Sequence, residues 1–204
     1  MLGMDQLGQL FGSSARLKIL RLFIFNDEYC APTSEVRERL SLTGASAQVE
    51  LKRLERIGFL KKKMCSVEGV SGKKRRVSGW AVDTRFKHLL PLRSFLLATA
   101  PMQSKEIAKT LQGVGTVKLI IVSGIFLQNW ESRLDLLIVG DNIKEKKLQS
   151  AIKKLEALLG KELRFAVFPT EEFTYRRSIY DKLLRDVLDF EYHVVLNRLP
   201  NQDL

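Results

Sequence analysis

PTSEVRERLSLTGASAQVELKRLERIGFLKKK, residues 32–63, reads as helix, turn, helix and the start of a strand; the strand returns through GKKRRVSGWAV, residues 72–82, after a turn at 68–72. The first helix opens with Pro32 and Thr33, carries Val36 and Leu40 four apart on one inward stripe, and ends at Ser41. Gly44 sits in the turn. From residue 45 to 57 the apolar residues Ala47, Leu51 and Leu54 recur at spacings of four and three, leading to Gly58 as a C-terminal stop. At about 100° per residue the opposite face presents Ser46, Val49, Lys52, Arg53 and Arg56, with Gln48 on its flank. Such a face is most often simply solvated, so the helix alone assigns no role.

The hairpin that follows changes the balance. Residues 60–67 and 73–81 are rich enough in β-branched and apolar residues to pair, and the return strand begins Lys73, Lys74, Arg75, Arg76. Adjacent cations repel one another, and a folded domain tolerates the run when it is well solvated or meets a polyanion. Lys61, Lys62 and Lys63 on the outgoing strand add to the same patch. Helix, turn, helix and basic hairpin together resemble the winged helix-turn-helix. The run of a small residue, Leu51, Leu54 and Gly58 is similar to the second-helix pattern of bacterial and archaeal winged-helix regulators, and the resemblance covers about residues 9–86. It implies double-stranded DNA as partner, with Ser46, Gln48, Val49, Lys52 and Arg53 in the groove and Lys73, Lys74, Arg75 and Arg76 on phosphate. It also implies a homodimer meeting two half-sites.

Charge is distributed to match. The net charge is +11, with 18 Lys and Arg against 9 Asp and Glu in residues 1–95, and 16 against 14 in residues 96–204. The excess therefore assigns the polyanion partner to the first half. With 204 residues the chain can hold two small domains, and 45% hydrophobic with 28% charged residues is ordinary for a soluble protein. Asp5 and the early glycines interrupt the beginning before any signal-like apolar run, and no stretch reaches a membrane span, so a cytoplasmic protein without a membrane partner is expected. Cys30 and Cys65 lie far apart without a CxxC partner, and His88 and His193 are isolated. Neither a metal site, a cofactor nor a disulfide framework is expected; buried or surface thiols in a reducing compartment are. His193 reads as a packed imidazole.

Residues 1–10 read as a loose lead-in, after which Ser13 or Ser14 caps a helix carrying Leu17, Leu20, Leu22 and Phe23, stopped by Asn26 and Asp27. Trp80 is expected to anchor the hairpin to the helical core. Residues 83–97 begin a connecting helix with Pro91 near its start, a candidate dimer surface; Ser104 caps a further short helix. The junction is placed so that residues 1–98 form the DNA-binding domain and residues 99–204 the second domain.

In the second domain, TVKLIIVSG (116–124), LDLLIVG (134–140) and LRFAVFP (163–169) are apolar strands, with LQSAIKKLEALLG (148–160) an amphipathic helix before the third. Strand, Gly124, the loop SGIFLQNWESR (123–133), Ser132, then the second strand resembles the minimal nucleotidyltransferase fold, from about Val117 to Asn197. That family implies a Gly-Ser pair gripping nucleotide phosphate, a Ser-Asp-x-Asp stretch, and a third carboxylate on a later strand, together holding Mg²⁺. Here Gly124 and Ser132 match, Ile125 replaces the hydroxyl, Arg133 stands at the first carboxylate, Asp135 keeps the second, and the third strand has Arg164 as its only charge. A fixed cation at a ligand position opposes metal binding. Asp135 is expected either to pair with Arg133, two positions away on one strand face, or to be a solvated residue at a strand start. Residues 170–197 read as two helices and a final strand, with Tyr180, Leu183, Leu184, Val187 and Leu188 as core, and Glu171 and Glu172 in a helix first turn.

The expected fold class is α+β: an N-terminal winged helix-turn-helix domain followed by a small α/β nucleotidyltransferase-like domain with a short mixed sheet. The expected function is a DNA-binding transcriptional regulator, not an enzyme, whose second domain serves dimerisation, sensing of a small nucleotide or contact with a protein partner. An active nucleotidyltransferase or an antitoxin-like binding partner is the alternative.

Overall fold

The structure, a computed structural model, describes residues 3–26, 28–68, 74–99, 104–129 and 132–199. It is α+β, and its strands form two separate small sheets. The chain divides into two compact units, Met1–Leu96 with Glu156–Lys161, and Leu97–Leu155 with Glu162–Leu204. Among the described residues no helix is long and apolar enough to cross a membrane.

In the first unit the expected loose lead-in is instead a helix, α1 (Gly3–Leu10), followed by α2 (Ser14–Ile24). Ser13 caps α2, its Oγ accepting from Arg16 N at 3.2 Å. Leu17, Ile19, Leu20, Leu22 and Phe23 are all buried, so α2 is enclosed on nearly every side and forms the centre of this core. Then come β1 (Cys30–Ala31), α3 (Thr33–Arg39), α4 (Gly44–Arg56), β2 (Leu60–Glu68), β3 (Lys74–Val82) and α5 (Leu89–Ala98). Gly44, expected in the turn, is the first residue of α4, because Thr43 Oγ1 accepts from Ser46 N and starts the helix there. Ala47, Leu51 and Leu54 bury the expected face, and Gly58 at φ +79° ends the segment in a conformation that favours glycine. Pro91 falls in the first turn of α5, where its missing N–H costs nothing. Asp27 and residues 69–72 of the expected turn lie outside the described residues, and Glu68 is the last residue of β2.

Strands β1, β3 and β2 form an antiparallel sheet with β3 in the centre. Here the structure corrects the reading of two separate thiols: Cys30 and Cys65 form a disulfide, with Cα atoms 5.3 Å apart and 35 positions between them in sequence. Cys30 lies opposite Ala81 and Cys65 opposite Val77, so the bridge crosses β3 at Gly79. A Cβ on Gly79 would run into Cys65 Sγ and the Ala31 backbone. Spacing alone could not reveal the bond, because it depends on two strands meeting over a third.

The second unit contains α6 (Ser104–Thr110), β4 (Thr116–Val122), a 3-10 turn (Gly124–Leu127), β5 (Leu136–Asp141), most of α7 (Glu145–Leu159), β6 (Phe165–Phe168), α8 (Thr170–Ser178), α9 (Lys182–Leu188) and β7 (His193–Asn197). Its sheet is mixed, in the order β6-β5-β4-β7: β5 and β6 are parallel and joined through α7, whereas β4 is antiparallel to both its neighbours. One face contributes Leu119, Ile121, Leu137 and Val139 to a core with Phe173, Leu184 and Val187. Ile120, Val122, Leu136 and Ile138 on the other face are buried too, which is why these strands read as unbroken apolar runs.

Two side chains depart from expectation. Tyr180 is 78% exposed at φ +53°, since it lies in the turn between α8 and α9 where helical spacing no longer applies. His193 opens the edge strand β7 and is exposed rather than packed. The start of α8 is fastened to the end of β5: Asp141 accepts from Thr170 N at 3.0 Å and Thr170 Oγ1 at 2.9 Å, with Lys118 Nζ at 2.9 Å.

Substituting Gly79→Ala should lower the stability of the disulfide-bonded chain by about 1–3 kcal/mol, the cost of overpacking, measured by denaturant unfolding; an unchanged midpoint would mean that the bridge does not cross β3. Lys118, then Thr170, hold the Asp141 carboxyl down to about 2. A depressed carboxylate stabilises the fold above its unfolded value of about 4 and ceases to do so as pH falls through the folded value. The stability gap between wild type and Asp141→Asn should accordingly be full above about pH 4 and close towards pH 2, read from denaturant midpoints across that range.

Candidate nucleic-acid interface and the Asp135 site

The polar face of α4 begins as the sequence suggests. Gln48, Lys52 and Arg53 are exposed, Ser46 is half-buried and Val49 is 48% exposed. Not all of these side chains are uncommitted. Arg53 Nη1 donates to Glu50 Oε1 at 3.3 Å, and Glu50, 5% exposed, also accepts from Arg16 Nε at 2.8 Å. A carboxylate this deeply placed needs such partners, because an unpaired buried charge is costly. Arg53 therefore reaches outward as one arm of an Arg16–Glu50–Arg53 cluster, while Gln48, Val49 and Lys52 carry the freely presented part of the face. Glu50 was not foreseen; it sits between Ala47 and Leu51 on the inward side, and only α2 supplies its second partner.

The hairpin splits its cations between two faces. Pairing sets Lys74 opposite Glu68, Arg75 opposite Val67 and Arg76 opposite Ser66. Side chains alternate along a strand, so Lys62, Lys74 and Arg76 share the face of Trp80, while Lys61, Lys63 and Arg75 share the other with the disulfide. Lys73 lies outside the described residues. Trp80 is buried, and its Nε1 donates to Thr33 Oγ1 at 3.0 Å, tying that face to the start of α3 as expected of an anchor. Lys62 Nζ lies 3.3 Å from the centre of the Trp80 ring, a cation–π contact. Strand β2 also packs against α4. The Trp80 face of the hairpin is thus tied to the start of α3, and Lys62, Lys74 and Arg76 lie on that face.

In the second unit the residues singled out around Asp135 do come together, but with other partners. Asp135 is 1% exposed, which excludes a solvated strand start. Its partner is Arg164, not Arg133: Arg164 Nε and Nη2 donate to Oδ2 and Oδ1, each at 3.1 Å, and Arg164 N adds a bond of 2.9 Å to Oδ2. Ile125 N donates to Oδ1 at 2.9 Å. Arg133 instead lies with its Nη1 3.0 Å from Asp186 Oδ2, within ion-pair range but without hydrogen-bond geometry. The physical reason is that β5 begins only at Leu136, so the two-residue alternation assumed for Arg133 and Asp135 does not apply to them.

Gly124 and Ser132 are likewise turned to internal use. Gly124 adopts φ +57°, and a Cβ there would strike the Asp135 carboxylate. Ser132 Oγ donates to Leu134 O at 2.8 Å, and Ser123 Oγ to the same oxygen at 2.6 Å. Magnesium ligation, which the nucleotidyltransferase resemblance implies, does not fit these residues. The one retained carboxylate has all its bonding directions taken by a guanidinium and two amides, and the first ligand position is a second arginine. Arg164 was visible in the sequence as the lone charge of the third strand, yet its distance of 29 positions from Asp135 gave no local signal of the pairing.

No protein-family model matches the chain, and no curated protein matches it.

Replacing Arg164 by Met should cost about 3–5 kcal/mol, since it strands a buried carboxylate, whereas Arg133→Gln should cost less than about 1 kcal/mol, as the Arg133 side chain is largely exposed and makes no hydrogen bond to Asp186. Urea unfolding of both variants checks the contrast, and equal losses would refute the assignment.

Proposed function

We propose that the chain is a sequence-specific transcriptional regulator that binds double-stranded DNA through a winged helix-turn-helix in residues 1–98 and carries, in residues 99–204, a non-catalytic nucleotidyltransferase-like domain. The observation that supports this reading is the bond from Trp80 on the hairpin to Thr33 at the start of α3, with β2 also packing on α4; Gln48, Val49 and Lys52 on α4 and Lys62, Lys74 and Arg76 on the Trp80 face of the hairpin are the side chains the proposal assigns to DNA. An exposed helix face of mixed polar and apolar side chains suits base edges and thymine methyl groups, and a neighbouring cationic edge suits the phosphates beside that groove. The charge excess of the first half supports the same partner. The order of β4, β5 and β6 in one mixed sheet, with α7 as the crossover, supports the nucleotidyltransferase-like reading of the second domain. The arginine-saturated Asp135 supports its being inert in transfer. A homodimer in the cytoplasm, meeting two half-sites through the exposed Leu90 and Phe95 of α5, completes the proposal.

The test is duplex binding measured against salt. Lys74→Ala and Arg76→Ala should each lower the slope of log affinity on log salt by up to about 0.9, and Arg75→Ala, on the other hairpin face, should change it less. Gln48→Ala and Lys52→Ala should shift preference among sequences. Slopes unchanged in Lys74→Ala and Arg76→Ala would remove the hairpin from the interface, and uniform loss on all sequences in the α4 variants would refute base reading.

A further inference from the structure

The second unit contains a cavity of about 420 Å³ between α6 and the sheet, bordered by Gly115 and Val117 where β4 starts. The Asp135 site lies past the opposite end of that strand, after Val122. Three cations line the cavity, Lys105 and Lys109 four apart on one face of α6 and Arg198 just after β7. No carboxylate is among its lining residues. Elsewhere in the unit Lys118, Arg133, Arg164, Arg176 and Arg185 are each held by an acid. Among the described residues Lys105, Lys109 and Arg198 have no such pair.

The remaining walls are of two kinds. Leu111, Val117, Ile120 and Leu196 supply an apolar floor, and the Gln112 amide offers both a donor and an acceptor at the rim. Gly113, at φ +81°, has open space where a side chain would stand, so the backbone there is open to close approach. Cavities of about 300–1,000 Å³ with an apolar body and a few polar groups are the usual form of small-molecule sites. The charge count narrows the ligand. A single carboxylate would leave two cations unbalanced, whereas a phosphate monoester or diphosphate carries two or more negative charges and several acceptor oxygens. An apolar floor then calls for an organic body attached to it.

We infer that this cavity binds a small organic phosphate of the nucleoside phosphate class, with Lys105, Lys109 and Arg198 on the phosphate and the floor beneath the organic part. The inference is independent of DNA reading by the first unit. It also places ligand binding away from Asp135, whose bonding capacity is already filled.

Calorimetric titration of the full chain with ADP, pyrophosphate and adenosine, without added metal, tests it. ADP should saturate one site, pyrophosphate should bind more weakly, and adenosine should not bind detectably. Lys109→Gln and Arg198→Gln, both at exposed positions, should each weaken ADP about fivefold to tenfold, and Arg133→Gln should leave it unchanged. No binding of ADP, unaltered affinity in Lys109→Gln and Arg198→Gln, or adenosine binding as tightly as ADP would each overturn the inference. Pyrophosphate matching ADP would overturn the role of the floor, and a loss confined to Arg133→Gln would move the ligand to the Asp135 site. A single-stranded oligonucleotide binding through Lys109 and Arg198 where ADP does not would assign the cations to nucleic acid instead.

Discussion

A carboxylate sealed from water must find donors inside the protein, and Asp135 finds four, two from the Arg164 side chain and one each from the Arg164 and Ile125 amides. This requirement organises the second unit. It draws the start of β6 against the entry to β5, folds the 3-10 turn at Gly124–Leu127 back over the carboxylate, and demands glycine at 124, where any Cβ would collide. The hydroxyls of Ser123 and Ser132 both turn to one carbonyl, so the loop spends its polar groups on its own backbone. The loop thereby closes over the carboxylate.

The same rule operates in the first unit with a different outcome. Glu50 faces inward on α4 and is held between Arg16 of α2 and Arg53 of its own helix. The pair fixes α4 against α2 and orients Arg53 along the exposed face. Buried acid and surface cation are therefore linked, and the polar face of α4 inherits part of its geometry from an interaction beneath it. On the hairpin, pairing register does the corresponding work, sending alternate cations to opposite faces and leaving the Trp80 side joined to α3 through Thr33.

How far the sequence could be read follows from the range of each interaction. Helices α2, α3 and α4 were legible because capping by Ser13, the spacing of Ala47, Leu51 and Leu54, and the stop at Gly58 all act within a few residues, whereas α1 and the Thr43 cap that starts α4 at Gly44 were not read from the sequence. Strands β4 and β5 were legible because burial on both faces makes them almost uniformly apolar. Tyr180 was misread because the helical spacing of α9 was carried back beyond its start, and His193 because its apolar sequence neighbours do not show that it opens an exposed edge strand. The Arg133 assignment failed similarly, by extending strand alternation into a segment that is not yet strand.

By itself the sequence determined the local elements, the α+β class and the concentration of positive charge in the first half, since propensity, periodicity and composition are properties of short windows. Only the tertiary structure decided the partners. The bond between Cys30 and Cys65 depends on β3 lying between their strands, the choice of Arg164 over Arg133 depends on β5 and β6 running in parallel, and the grouping of Lys105, Lys109 and Arg198 around one cavity depends on α6 lying beside the sheet. Each joins residues tens of positions apart, and the free energy that selects them comes from burial and pairing that exist only once the chain has closed on itself.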